Sequence, residues 1–325
     1  MTKRVQWLTL VGFFTVILGT VVLAPAPTLA QIEIGYAAMP ILSQAPIIIG
    51  QRKGFFEAEG IKLKLVQVQS GAQGIEAIVA GSVHAAHIAD SPLIHAAASG
   101  LNIIVVADNG RITKENTQGA IMVRSDSPIH TMADLKGKKL ANLPPGSIND
   151  VQLKALVFPK LGLRPGTDVT LIVAGFPQME GMLRAGTMDA VYQMEPFITM
   201  MMKTGKYRII SRLSDYIPEE GNYLSMITFR REYASANRET IRRFLRAYLK
   251  GVGVYAKDPE ERAAALSEWV KLPVDILKEV PPLVMKLDGK IDVKTLISAT
   301  QTVEQLGYLK KAVDLRSYVD NSYLP

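Results

Sequence analysis

The sequence predicts an α/β protein built as two similar lobes, each a mostly parallel sheet flanked by helices. Three observations carry this prediction. Short runs with β-type alternation are separated by runs of helical period, the pattern of parallel strands joined by crossover helices. The same order of elements returns about a hundred residues later in the chain. Finally, 325 residues are too many for one ordinary core and suit two.

In the first half, 32–36 is a strand and a helix follows, with Ser43 as its N-cap and Pro46 in its first turn. That helix is expected to run towards Glu59, where Gly60 can take the left-handed conformation that stops it. A strand over 62–68 alternates polar and apolar residues, and Ser70-Gly71 opens a helix that ends near Ala80-Gly81-Ser82. A short strand over 85–89 leads into Ser91-Pro92, a cap followed by an N1 proline, and 103–107 is one more buried strand.

In the second half, 139–142 is a strand, and Ser147 caps a helix with Asp150 three places on, as in a capping box. Gly162-Leu163 stops it as Gly60-Ile61 stopped its counterpart. A strand over 169–173, a helix from Phe176-Pro177 to Ala185-Gly186-Thr187, and a strand over 190–193 complete the repeat. The two closing segments align directly: Ala80-Gly81-Ser82-Val83-His84-Ala85 with Ala185-Gly186-Thr187-Met188-Asp189-Ala190, each followed by a polar residue and proline, Ser91-Pro92 and Glu195-Pro196.

A strand over 119–123 leaves the first lobe, and one over 223–229 returns. From Arg238 onward the chain is helical and belongs on the first lobe. The expected division is 31–117 plus 231–325 for one lobe and 118–230 for the other. Two crossings make a hinge, and a hinge between lobes makes a cleft.

Lys3 and Arg4 precede an uncharged run from Val5 to Ala24, which ends in Pro25-Ala26-Pro27-Thr28-Leu29-Ala30. A basic start, an apolar run and a small-x-small ending form a secretory signal peptide over 1–30, so Gln31 is the expected mature N-terminus. A run of about 20 apolar residues also just suffices for a retained anchor. The apolar content of 48% is that of a globular protein. With no cysteine, a disulfide scaffold, a thiolate metal site and a cysteine nucleophile are excluded. The formal charge of +7 is scattered along the chain and marks no polyanionic partner.

In a parallel sheet, ligands bind where loops leave the carboxyl ends of the strands. Here each such loop also starts a helix, so free backbone N–H groups face the same gap and favour an anionic or strongly accepting guest. The candidate ligand-binding residues are Tyr36, Met39, Gln44, Ser70, Gly71, Asp90 and Ser91 from the first lobe. The second supplies Gly146, Ser147, Ile148, Phe176, Gln178 and Glu195. Each also has an ordinary structural role: Ser91 and Ser147 as caps, Gly71 and Gly146 as turn residues, Tyr36 and Phe176 as core aromatics, Glu195 as a helix-start acid. Arg111 is a candidate anion clamp near the first crossing, or a surface ion-pair partner.

Catalytic sets are not expected. His84 and His87 lie three apart on a strand and point to opposite faces, which is unsuited to a shared metal. The sequence carries no Gly-x-Ser-x-Gly elbow, phosphate loop or His-Glu-x-x-His. No cofactor, no metal and no nucleic-acid partner are expected.

Gly54-Phe55-Phe56-Glu57-Ala58-Glu59-Gly60-Ile61 resembles a segment of the periplasmic solute-binding proteins of ABC importers, in the group serving aliphatic sulfonates, taurine, nitrate and thiamine or pyrimidine precursors. Ser70-Gly71 with Ala80-Gly81, the run Asp134-Leu135-Lys136-Gly137-Lys138-Lys139, Gly186-x-x-Asp189-Ala190 and Glu195-Pro196 extend the resemblance over the mature chain. It implies the type II periplasmic binding-protein fold, with two lobes, a double crossover and a closing cleft. It further implies a non-enzymatic, monomeric protein of the periplasm that captures a small organic molecule, an organic anion such as a sulfonate being favoured, and delivers it to an ABC permease in the inner membrane. The alternatives are binding of a pyrimidine or thiamine precursor, a pyrimidine-synthase-like enzyme, or a ligand-sensing subunit for a membrane receptor. The departure from the family is His84, at a position where the family carries an acid, as Asp189 does in the second lobe.

Overall fold

Apolar runs alternating with helix starts give the chain twelve strands among its described residues. In a computed structural model, residues 31–325 are described apart from Glu115, Thr117, 217–220, Leu306, Tyr308 and 310–312. The expected signal peptide over 1–30 lies outside the described residues. The strands are β1 (Ile32–Ala38), β2 (Ile61–Gln67), β3 (Ala85–Ile88), β4 (Ile103–Asp108), β5 (Arg111–Ile112), β6 (Gly119–Arg124), β7 (Lys138–Asn142), β8 (Val169–Val173), β9 (Ala190–Met194), β10 (Tyr207–Arg212), β11 (Asn222–Tyr223) and β12 (Met226–Arg230). The helices are α1 (Ala45–Arg52), α2 (Phe55–Ala58), α3 (Gly71–Val79), α4 (Asp90–Ala98), α5 (Ile148–Gln152), α6 (Phe176–Arg184), α7 (Phe197–Lys203), α8 (Arg231–Ala236), α9 (Arg238–Lys257), α10 (Pro259–Val270), α11 (Val274–Lys278) and α12 (Val293–Gln305).

Two five-stranded sheets result, in the orders β2-β1-β3-β12-β4 and β8-β7-β9-β6-β10. The orders correspond strand for strand. In each, the fourth strand is antiparallel to both neighbours, β12 between β3 and β4, and β6 between β9 and β10. The expected repeat is therefore a repeat of topology, and the fold is a two-lobed α/β fold.

The returning segment differs from expectation. Residues 223–229 are not one strand. Asn222–Tyr223 pairs with Arg111–Ile112 in a two-stranded ribbon, and Met226–Arg230 then enters the first sheet, with Phe229 opposite Ala85 and Ile104. A boundary at 230 would leave this strand with the second lobe. Its Met-Ile-Thr-Phe run is buried on both faces, as a central strand requires, and pairing places it in the first sheet. The tail is likewise shared: α9 packs on α1, whereas α11 packs on α7 and α12 touches both α4 and the π-helical turn Leu153–Val157.

Three local expectations are corrected. Ser43 is not an N-cap; it lies inside the 3-10 turn Leu42–Gln44, and α1 starts at Ala45 with Pro46 in its first turn. The helix does not run unbroken to Glu59, because Gly54 at φ 68° interrupts it between α1 and α2. Ser91 does not cap α4, which begins one residue earlier at Asp90. Ser70 and Ser147 do cap: their hydroxyl oxygens accept from Gln73 N at 3.2 Å and Asp150 N at 3.3 Å.

His84 makes the same pair of contacts in the first lobe as Asp189 makes in the second. In the second lobe Asp189 N donates to the Lys139 carbonyl at 3.0 Å, and Lys139 N donates to Asp189 Oδ2 at 2.8 Å. In the first lobe His84 N donates to the Gly35 carbonyl at 2.9 Å, and Gly35 N donates to His84 Nδ1 at 3.0 Å. Only a neutral imidazole can accept there, and burial lowers the His84 pKa accordingly.

The face of the first sheet beneath α9 carries an aromatic core of Tyr36, Phe56, Phe229 and Phe244. Close approach of α1 to α9 needs a residue without a side chain, because a Cβ on Gly251 would lie 2.1 Å from the Pro46 carbonyl oxygen. Gly251→Ala is expected to cost about 1–3 kcal/mol through overpacking, measured as a lower denaturant midpoint with an unchanged slope.

Candidate functional site

The loops at the carboxyl ends of both sheets meet in one chamber. The first lobe supplies Met39 after β1, Ser70 and Gly71 at the start of α3, His87 on β3, and Ala89 and Pro92. The second supplies Leu143 after β7, Ser147, Ile148 and Asn149 at the start of α5, Phe176 at the start of α6, and Met194. Leu224, between β11 and β12, closes it from the crossover side. A wider vestibule adjoins the chamber and shares Ser70, Gly71, Pro92 and Ser147 with it, adding Gly146, Glu76 and His95. The lobes touch directly beside the chamber, where Ser91 Oγ donates to the Gly146 carbonyl at 2.9 Å.

Met39, Ser70, Gly71, Ser147, Ile148 and Phe176 are thus brought together in the chamber, with Gly146 at its rim. The other candidates lie elsewhere. Tyr36 is fully buried on the opposite face of the first sheet, its ring 6.1 Å from that of Phe244, so it is core and not a wall. Gln44 is buried and donates to Ser43 Oγ at 2.9 Å. Gln178 is exposed on α6. Glu195 is buried, with Oε2 accepting from Thr199 N at 3.1 Å, and burial raises its pKa. Arg111 lies at the crossover ribbon, donating to Thr295 Oγ1 at 2.8 Å and covering the Tyr223 ring.

Asp90 and Ser91 line a separate small cavity together with Asn222 and Gln152. Asp90 Oδ2 accepts from Asn222 Nδ2 at 2.9 Å and Oδ1 from Ser91 N at 2.7 Å, tying the start of α4 to the crossover ribbon. Burial outweighs these bonds and pushes its pKa up to about 6.

The chamber gained residues that sequence patterns left aside. His87, unsuited to sharing a metal with His84, has its ring at the chamber wall, with Nδ1 3.4 Å from both Met39 N and the Ala37 carbonyl, and burial holds its pKa down to about 4. Asn149 sits two residues after the Ser147 cap. Trp269, from α10, donates its indole N–H to the Met39 carbonyl at 2.7 Å and fixes the loop after β1. Gln193 does the same for α6, donating to the Phe176 carbonyl at 3.1 Å. The second-lobe turn is shaped by Asp150, which accepts from Gly146 N at 3.0 Å and pairs with Lys154 at 2.7 Å.

The NMT1/THI5 like family model matches residues 42–262, a span that holds the chamber lining apart from Met39 and Ile41. The chain belongs to the NMT1/THI5 like family. A Bacillus subtilis relative, named as a candidate aliphatic sulfonates-binding protein, is 28% identical over 296 residues, covering 87% of this chain and 84% of its own length. Two solved structures share the fold. The periplasmic aliphatic sulphonate binding protein of Escherichia coli superposes with a TM-score of 0.71 at 22% identity, covering 89% of this chain and 92% of that one. The periplasmic nitrate-binding protein of Synechocystis gives 0.76 at 17% identity, covering 90% and 87%. The fold is thus the periplasmic binding-protein fold. Among the described residues no helix is long and apolar enough to cross a membrane.

Because the Asp90 pKa is higher folded than unfolded, its contribution to stability is fully present below pH 4 and is lost as pH rises through about 6. Asp90→Asn is expected to remove that fall, so the variant's melting temperature relative to wild type rises between pH 4 and 7. Parallel melting curves across that range would refute the assignment.

Proposed function

We propose that the protein is an exported solute-binding component of an ABC importer, capturing a small organic molecule between its lobes and presenting it to an inner-membrane permease. The observation that carries this is the chamber itself: helix starts from both lobes converge on one gap, and the lobes meet beside it through Ser91 and Gly146. Binding between lobes joined by two crossings favours the closed arrangement, because only there does a ligand touch both sides. The lobes divide at the β5–β11 ribbon, with β12 in the first. Residues 1–30 are the export signal, in keeping with relatives named as periplasmic. The chain works as a monomeric binder and not as an enzyme.

The ligand class follows from the wall. Leu143, Ile148, Met194, Leu224 and Phe176 take an apolar body, while Ser70, Ser147 and the first amides of α3 and α5 take an acceptor-rich head group. An organic anion such as an alkanesulfonate fits both, and the Bacillus relative's name points the same way. The Phe176 ring also supports a second reading, a flat pyrimidine-type ligand.

Purified mature protein is expected to gain about 2.7 kcal/mol of stability in an alkanesulfonate at 100 times Kd, seen as a raised melting temperature. A response to pyrimidines alone would favour the second reading, and a response to cations alone would sink both. Ser147→Ala is expected to weaken binding about fivefold to tenfold, the worth of one hydrogen bond, with a smaller fractional loss of stability; equal losses would make Ser147 a cap only. Mass spectrometry of the exported protein is expected to find Gln31 at its N-terminus.

A further inference from the structure

The geometry points to His87 and Asn149 as an uncharged donor pair, one from each lobe, that selects a ligand by an oxygen-rich acceptor group lying between them. The inference rests on the binding reading above and deepens it. Both residues line the chamber and both are almost wholly buried, at 2% and 1% exposure. Asn149 Nδ2 has no hydrogen-bond partner among the described residues. A buried donor left without an acceptor is costly, and a bound acceptor removes that cost.

The polarity of His87 follows from its neighbours. Its Nδ1 lies 3.4 Å from two backbone groups, the N–H of Met39 and the carbonyl of Ala37. Met39 follows the end of β1, and His87 Nδ1 is the acceptor its amide finds. A buried backbone N–H without an acceptor is rarer and costlier than a carbonyl with a spare lone pair. Nδ1 therefore accepts from Met39, and the ring proton sits on Nε2, the donor of a ring that lines the chamber. Burial keeps the ring neutral, with the Ala37 carbonyl opposing, and no charged side chain of β1, β12, α3 or α4 contributes to that shift. Asp90, three residues along, instead faces Asn222 in the neighbouring cavity.

Two neutral donors lining one chamber, one from each lobe, suit a delocalised oxyanion head such as a sulfonate, which accepts from both at once and so couples binding to closure. They do not suit an ammonium or other donor head.

A long-range proton–nitrogen-15 spectrum of the unliganded protein at pH 7 tests the His87 half without any ligand. Protonated Nε2 and bare Nδ1 are expected; the opposite tautomer overturns the inference whatever the protein binds. Titration with butanesulfonate tests the pair. Asn149→Asp, which puts a carboxylate where the donor stood, is expected to lower affinity at least ~100-fold through like-charge repulsion and loss of the donor, and to lower the unliganded melting temperature because the new carboxylate is buried. His87→Gln, which keeps an uncharged donor, is expected to stay within ~10-fold of wild type, and His87→Leu to fall well below His87→Gln. Unchanged butanesulfonate affinity in Asn149→Asp, or equal affinity in the Gln and Leu variants, overturns the pair. If wild type binds no probe of any class, the binding reading falls, and the tautomer still decides the donor assignment.

Discussion

Each sheet is completed by an antiparallel strand that reaches it from the other side of the crossover, and the rest of the molecule depends on this exchange. β12 fills the gap between β3 and β4, and without it β4 would lose its partner and the first sheet would end at β3. β6 does the same for the second sheet. The first lobe cannot complete its hydrogen-bond ladder before the chain has crossed and returned, and the second lobe's sheet takes in the first strand after the outward crossing, so the crossover ribbon ties the two sheets together. Its neighbours reinforce it. Asp108 accepts from Gly110 N and Lys286 N, and Tyr248 donates to the Asp108 carbonyl at 2.7 Å. With the two sheets joined in this way, the carboxyl ends of their strands face one gap.

That gap is chemically unusual for a site expected to attract anions, because its polar groups are neutral. The lining offers hydroxyls, helix amides, a carboxamide and an imidazole held uncharged by burial. Neutral donors bind a charged guest less strongly than an arginine would, but they carry no desolvation cost of their own charge when empty. Such a site favours guests whose charge is spread over several oxygens and whose remainder is apolar.

Much of this was legible in the sequence because the relevant signals are local. Gly60 and Gly162 stop their helices at positive φ, Ser70 and Ser147 cap theirs, and the paired Ala-Gly-x-x-x-Ala segments marked the repeat. What stayed hidden depends on distance or on facing. The two-residue period of β1 put Tyr36 on one face or the other without saying which, and the aromatic core claimed it. Ser91 followed the pattern of a cap, but Asp90 already occupied the first turn of α4. The interruption at Gly54 requires a backbone angle that the helical period does not reveal. Leu224 and Trp269 reach the chamber from the crossover and from α10, far along the chain, and nothing local marks them. Asn149 was overshadowed by the Ser147 cap two places before it.

The bond from Trp269 to Met39 has a practical side. The chain has two tryptophans, and the other, Trp7, lies in the proposed signal segment. The mature protein thus holds a single indole, half-buried and hydrogen-bonded to the very loop that forms one wall of the chamber. Its emission colour and intensity are set by that contact, so the molecule comes with a built-in optical gauge of what occupies its interior.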